Sequence, residues 1–317
     1  MQKSYLALDL GGTKLLVGEV AADGTIISSK SYPTGPIDQQ RAAEVIFASV
    51  DDYLATVGIK NPDGVAAIGI GLVGRIDSPA GLWCQIDSLR TAPLPLAAMV
   101  GERYALPCYI DNDVKCATRA EQLFGIGRST RDFIYINIGT GIAAGVVTDG
   151  RMIRGSHHNA GEVGHTSSGI HFGIECICER KDCTELIAAG VGFDACARLL
   201  APQYPDSPLT RPAEGRVDVR EVVALAEQGD PLCTLLIDNA AQAAADLIMN
   251  LVRVSDPEAV VLGGGIASNE HIFTKITSLL GAHTMRFVTL GTTRTTLDGR
   301  YIGLIGAAAV AMQQSEQ

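Results

Sequence analysis

The chain has 317 residues, 47% hydrophobic but only 5% aromatic, with 35 acidic against 25 Lys and Arg side chains and a formal net charge of −10. That acidity, with no Lys/Arg-rich run, argues against a nucleic-acid surface. The longest uncharged stretch, 133–148, is too short and too glycine-rich to cross a membrane, and the apolar stretch 235–252 is interrupted by Asp238 and Asp246, so no membrane partner is expected.

A core built from Ala, Val, Ile and Leu at this length fits an alternating α/β protein of two domains. Residues 1–4 run directly into strand pattern with no leader, and the eight cysteines form no small-domain disulfide framework, so reduced thiols in a cytoplasm are expected.

Apolar patterning predicts strands over 5–9, 15–20 and 25–32, with a hairpin turn at Ala22-Asp23-Gly24-Thr25. Between the first two strands, Asp9-Leu10 leads into Gly11-Gly12-Thr13-Lys14. A helix over 42–57 carries Val45, Ile46, Val50 and Leu54 at helical spacing. Strands follow at 65–70 and 108–110, then a helix over 114–124 capped by Asn112 or Asp113. The second half repeats the plan. Strands over 133–138 and 142–148 flank Gly139-Thr140-Gly141, a helix begins near Thr184, and two helical stretches fill 219–254. A buried strand over 259–262 ends in Gly263-Gly264-Gly265 before another helix, and a small-residue helix over 303–312 closes the chain. Residues 201–217 read as a polar surface excursion and 290–299 as loop or edge.

Each glycine-threonine turn follows an apolar strand. Glycine lets backbone N–H groups approach an anion, and a threonine hydroxyl adds a donor. One such turn is ordinary hairpin chemistry. Two, in two halves of one chain, point to a phosphate chain gripped from both sides, with the ligand in a cleft between lobes.

Six motifs stand in an order that resembles the ROK family of sugar kinases and sugar-responsive repressors, of the hexokinase–actin fold: Asp9-Leu10-Gly11-Gly12-Thr13-Lys14, Asp111-Asn112-Asp113, Gly139-Thr140-Gly141, Gly161-Glu162-Val163-Gly164-His165, Cys176-Ile177-Cys178 with Cys183-Thr184-Glu185, and Gly263-Gly264-Gly265. The resemblance covers essentially the whole chain. It implies a two-lobed, duplicated α/β (ribonuclease H-like) fold, with a smaller lobe of 1–115 plus 303–317 and a larger one of 116–302. The stretch from Gly74-Arg75-Ile76 through Leu89 is also similar to that of N-acetylmannosamine kinases, which marks Gly74 as a sugar contact.

In the ROK pattern the first turn holds the β- and γ-phosphates through Gly11, Gly12 and Thr13, with Lys14 adding charge and Asp9 organising Mg²⁺. Gly139, Thr140 and Gly141 form the second phosphate turn. Gly263, Gly264 and Gly265 lie against adenine and ribose; read alone, they are equally a helix-start turn.

Asp113, which in isolation reads as a helix cap, matches the general base that takes the proton of a sugar hydroxyl. Asn112, Glu162, His165 and Glu185 match sugar-binding positions, where carboxylates accept hydrogen bonds from adjacent hydroxyls. His165, Cys176, Cys178 and Cys183 match a structural zinc site, three thiolates and an imidazole; buried free cysteines are the plainer reading.

The chain departs from the family where the cysteine loop carries Glu179 and Asp182 in place of glycines. It also has one extra residue between His165 and Cys176, Val73-Gly74 for proline-glycine, Ala143-Ala144 for a glycine run, and Ser88 for a sugar-contacting asparagine.

The resemblance implies a cytoplasmic Mg-ATP-dependent kinase acting on the 6-hydroxyl of a hexose or N-acylhexosamine, commonly a homodimer. A sugar-sensing regulator of the family would carry a helix-turn-helix segment for which the eight residues before Asp9 leave no room. A non-catalytic sugar-binding protein is the third reading.

Overall fold

The computed structural model describes residues 3–35, 38–85 and 92–315. The chain begins β1 (Ser4–Leu10), β2 (Lys14–Ala21), β3 (Ile26–Pro33), α1 (Gln39–Thr56), β4 (Val65–Leu72), β5 (Arg75–Asp77), β6 (Leu82–Gln85), α2 (Leu96–Tyr104), β7 (Cys108–Asn112) and α3 (Asp113–Phe124). It continues with β8 (Phe133–Ile138), β9 (Ile142–Thr148), β10 (Arg151–Met152), α4 (Glu185–Ala188), α5 (Gly190–Leu200), α6 (Val219–Glu227) and α7 (Pro231–Ser255). Last come β11 (Ala259–Gly263), α8 (Glu270–Ser278), α9 (Ala282–Met285), β12 (Thr292–Arg294) and α10 (Ile302–Gln314).

These elements form two compact units. The first is Met1–Ser129 with Ile153–Ala160 and Thr296–Gln317; the second is Thr130–Met152 with Gly161–Thr295. The expected break at 115/116 falls inside α3, and the structure moves it. The helix is continuous and packs on α10, with Gly306 so close that a Cβ there would lie 2.1 Å from the Cys116 carbonyl oxygen. A helix buried along that seam stays with the first unit, which therefore runs on to Ser129.

The two central sheets share one topology. The first is ordered β3-β2-β1-β4-β7 and the second β10-β9-β8-β11-β12. In both, the first three strands in sequence pair antiparallel and the remaining strands parallel.

Strand alternation sorts the first unit's core into two layers. Leu6, Leu8 and Leu10 face α1 and α2 with Ile46, Val50 and Leu96. Tyr5 and Ala7 face α3 and α10 with Cys116, Leu304 and Ala308. Asp9 continues that second row. Ile134, Ile136 and Ile138 of the second unit face a single large core with α5, α6, α7 and α8. Helix α7 is long and apolar enough to cross a membrane by length and composition, but 61% of its most apolar window is buried, as in a core helix.

Candidate functional site

In the first unit the turn between β1 and β2 is closed by a hydrogen bond from the Gly11 amide to the Lys14 carbonyl (3.0 Å). The Gly12 and Thr13 amides have no protein acceptor among the described residues. Both residues are exposed, and a Cβ at Gly12 would meet nothing within 4 Å. The turn therefore presents open donors that no described residue uses.

Asp9 ends the adjacent strand beside Gly71 of β4. Its carboxylate lies against Gly303 at the start of α10, where a Cβ would come within 2.3 Å of Oδ2. Unpaired N–H groups at a helix start favour negative charge. Burial nevertheless pushes the Asp9 carboxyl up to about 6, with the Lys14 charge pulling the other way. A divalent cation would favour the ionised form, which fits the expected Mg²⁺ role.

At the end of β7, Asn112 caps α3: its Oδ1 accepts from the Val114 amide (3.0 Å) and the Lys115 amide (3.2 Å). Its Nδ2 donates to the Gly74 carbonyl (3.0 Å), and Gly74 adopts a left-handed φ of 89°. The capping question left open by the sequence is thus resolved in favour of Asn112. Asp113 is the first helical residue, half-buried, with Oδ1 2.9 Å from the Val114 amide.

Sequence reasoning missed what holds this run. Asp111 is fully buried and takes both guanidinium nitrogens of Arg154, at 3.0 and 2.6 Å. It also accepts from the Asn112 amide (2.9 Å). Removing one partner of such a buried pair costs about 3–5 kcal/mol. Lys115 Nζ donates to the His158 carbonyl (3.0 Å), and His158 Nε2 lies 3.3 Å from Asp77 of β5. These contacts tie residues 153–160 to the start of α3 and to β5. Nothing in local sequence spacing signals partners 43 residues apart.

In the second unit the Gly139 amide donates to the Gly141 carbonyl (3.0 Å), and the Gly139 and Thr140 carbonyls accept from the first amides of α5, Gly190 and Val191. The Thr140 and Gly141 amides carry no protein acceptor among the described residues. A Cβ on Gly141 would lie 2.5 Å from Glu185 Oε2, so any side chain there has to displace that carboxylate. That oxygen accepts from the Ile142 amide (2.9 Å), so Glu185 at the start of α4 is anchored to the turn.

The Gly161–His165 loop packs on the same strand. The Ala144 amide donates to the Gly161 carbonyl (2.8 Å), and a Cβ at Gly164 would sit 2.4 Å from the Ile142 carbonyl oxygen and 3.2 Å from the Glu185 Cβ. Glu162 is exposed between them. The glycine run also meets the second turn. A Cβ on Gly139 would be 4.0 Å from the Gly264 Cα, and Gly264 has φ +87°. A Cβ on Gly263 would collide with the Tyr135 hydroxyl, whereas Gly265 faces open space. The run is not a helix start, since α8 begins at Glu270 with Asn269 as its cap.

His165, Cys176, Cys178 and Cys183 converge, with one ligand atom from each lying within 4.8 Å of the others. Cys176 Sγ is 3.4 Å from His165 Nδ1, and Cys178 Sγ is 3.5 Å from Cys183 Sγ. Tetrahedral zinc with Zn–S of about 2.3 Å and Zn–N of about 2.0–2.1 Å has edges of ~3.6–3.8 Å, so the donor set fits the metal. Burial, with the neighbouring thiols, pushes Cys183 up to about 12, while the Arg180 backbone N–H lowers Cys178.

The substituted glycines leave a trace here: Glu179 and Asp182 take left-handed φ values of 67° and 53°. The Asp182 carboxylate offsets its strain by accepting from the Gly173 (2.9 Å) and Ile174 (2.8 Å) amides. Ser88 and the end of the N-acetylmannosamine-kinase-like stretch lie outside the described residues.

Residues 5–314 match the family described as ROK family. A glucokinase of Halalkalibacterium halodurans is 26% identical over 314 residues, which cover 98% of this chain and 95% of that one. An N-acetylmannosamine kinase of Citrobacter koseri is 29% identical over 313 residues, covering 97% and 98%. A ROK family glucokinase from Streptomyces griseus, solved in complex with glucose and AMPPNP, matches with a TM-score of 0.77 at 27% identity, covering 99% of this chain and 100% of that one.

Proposed function

The chain belongs to the ROK family, and from that premise we propose that it is a sugar kinase transferring the γ-phosphoryl group of Mg-ATP to the 6-hydroxyl of a hexose or N-acylhexosamine. The observation that supports this most is at the start of α3: Asn112 occupies the cap position and takes the Val114 and Lys115 amides, so Asp113, although its Oδ1 shares the Val114 amide, is not the capping residue.

Asp113 acts as general base, accepting the hydroxyl proton as the sugar oxygen attacks phosphorus. Asp111 and Arg154 hold the run that positions it. The open amides of Gly12, Thr13, Thr140 and Gly141 bind phosphate oxygens; Gly263 and Gly264 pack closely on Tyr135 and Ile138, and Gly265, where a Cβ would meet nothing within 4 Å among the described residues, leaves room for the nucleoside. Asp9 holds magnesium, which supplies charge neutralisation at the phosphates. Glu162 and Glu185 accept hydrogen bonds from sugar hydroxyls. His165 turns Nδ1 toward the cysteines, which leaves Nε2 for the sugar. Zinc, held by His165, Cys176, Cys178 and Cys183, would lock the loop that precedes Glu185.

The test is ADP release from Mg-ATP against glucose, mannose, fructose, allose, N-acetylglucosamine and N-acetylmannosamine, with the product position read by phosphorus NMR. One preferred sugar phosphorylated at O6 is the expected outcome. Absence of turnover with every sugar, alongside calorimetric sugar binding, would contradict the kinase reading and favour a binding protein.

A further inference from the structure

The first unit holds a cavity outside the residues assigned to phosphate and sugar. It measures about 180 Å³ and is walled by Arg119 of α3, Arg154, and Val310, Gln313 and Gln314 of α10. That is room for about six waters at ~30 Å³ each. Four of these five wall residues carry hydrogen-bond donors, of which Gln314 Nε2 also donates to Ser78 Oγ (3.2 Å), and Val310 is nearly fully buried.

The charge in this cavity is unbalanced. Arg154 spends its guanidinium on Asp111. Arg119 donates Nη1 to Gln122 (2.6 Å), and among the described residues no carboxylate lies within ion-pair distance of it. Burial, then the neighbouring Arg154 charge, lowers the Arg119 pKa. A guanidinium offers five N–H donors in a planar fork that matches carboxylate and phosphate oxygens. The nearby Asp111 carboxylate pulls the other way, but both its oxygens are taken by Arg154, so the half-buried Arg119 guanidinium has no carboxylate of its own at ion-pair distance among the described residues.

We propose that this cavity binds a small oxyanion, a phosphate or carboxylate on a short polar body, gripped by Arg119 and completed by Arg154 and the Gln313 and Gln314 carboxamides. The space exceeds what bare phosphate fills, so a three-carbon ligand suits it. Arg154 would then divide its donors between the anion and Asp111, which in turn contacts the Asn112 amide beside Asp113. Occupation of the cavity therefore acts on the positioning of the α3 start.

Calorimetric titration of the full chain with glycerol 3-phosphate, and separately with glycerate, tests the site, because the two share a vicinal diol and differ at the third carbon, which carries a phosphate ester on a methylene in one and is a carboxylate in the other. Saturable binding of at least one is expected. It should weaken roughly tenfold or more in Arg119→Met and by less in Arg119→Lys, which keeps the charge and loses the fork. The stronger arm identifies the headgroup. The comparison with Arg119→Met isolates the cavity from the glycine turns, whatever those turns bind, so the outcome does not depend on kinase activity. Binding of neither ligand, or equal binding by wild type and both variants, overturns the proposal. A melting temperature lowered equally with and without ligand would likewise reduce Arg119 to a structural partner of the helix ends. If Arg119→Met fails to fold, Arg119→Lys carries the comparison.

Discussion

The two units wind five strands in the same order, and each opens with a strand, a glycine turn and a second strand. They differ at equivalent positions. Two residues before the first turn glycine, the first unit has Asp9 and the second has Asn137, each paired in parallel with a glycine, Gly71 or Gly263. Asp9 is a half-buried carboxyl against the start of α10, raised by burial. Asn137 offers no charge. The turns differ as well: Gly12 faces open space, whereas Gly141 is pressed against Glu185. Topology thus supplies the same pair of places twice, and single residues at those places divide the proposed work. In the proposed function the first unit would take the cation and the base, and the second the sugar carboxylates and the metal loop.

The division breaks most sharply at Asp113. Asp113→Asn is expected to lower kcat by about 10²–10⁴ while leaving the KM values for sugar and ATP within a few fold, measured by steady-state ADP release. Asp9→Asn gives the first unit the residue of the second. It should raise the magnesium concentration needed for half-maximal rate roughly 10–100-fold, read from a Mg²⁺ titration at fixed ATP.

The glycines sharpen the contrast. Gly141→Ala should displace Glu185 and raise the sugar KM by about tenfold, a binding loss of about 1.4 kcal/mol. Gly12→Ala should raise the ATP KM and leave unfolding free energy within about 0.5 kcal/mol of wild type, since a Cβ there meets no described atom within 4 Å. Zinc removal by a chelator should lower the melting temperature and raise the sugar KM, with metal analysis reading about one zinc per chain before treatment. The smallest effect belongs to Glu179→Gly, which removes a left-handed strain worth roughly 1 kcal/mol and should raise the denaturation midpoint slightly.

Much of this was legible in the chain. The duplicated hexokinase–actin-like fold expected from the order of motifs is the fold found, and the strands expected over 5–9 and 133–138 appear as Ser4–Leu10 and Phe133–Ile138. Alternation is a local signal, and local signals survive folding. The β5–β6 hairpin and α2 were not anticipated, because three- and four-residue strands and a nine-residue helix carry too few periods to register.

The grouping of His165 with the three cysteines was legible, but the shape of the loop was not, since Glu179 and Asp182 hold backbone conformations their residue types rarely choose. Least visible were the long-range contacts: the Arg154–Asp111 pair, and the steric demand of Gly141, which exists only because Glu185 returns to the turn.

The most direct test of the division between units is sugar binding by calorimetry with AMPPNP and magnesium present, comparing wild type, Asp113→Asn and Glu185→Gln. Asp113→Asn should bind the preferred sugar within a few fold of wild type yet turn it over about 10²–10⁴-fold more slowly, while Glu185→Gln loses roughly tenfold or more in affinity. Turnover retained at the wild-type rate in Asp113→Asn, or equal loss of sugar affinity in both variants, would contradict that division.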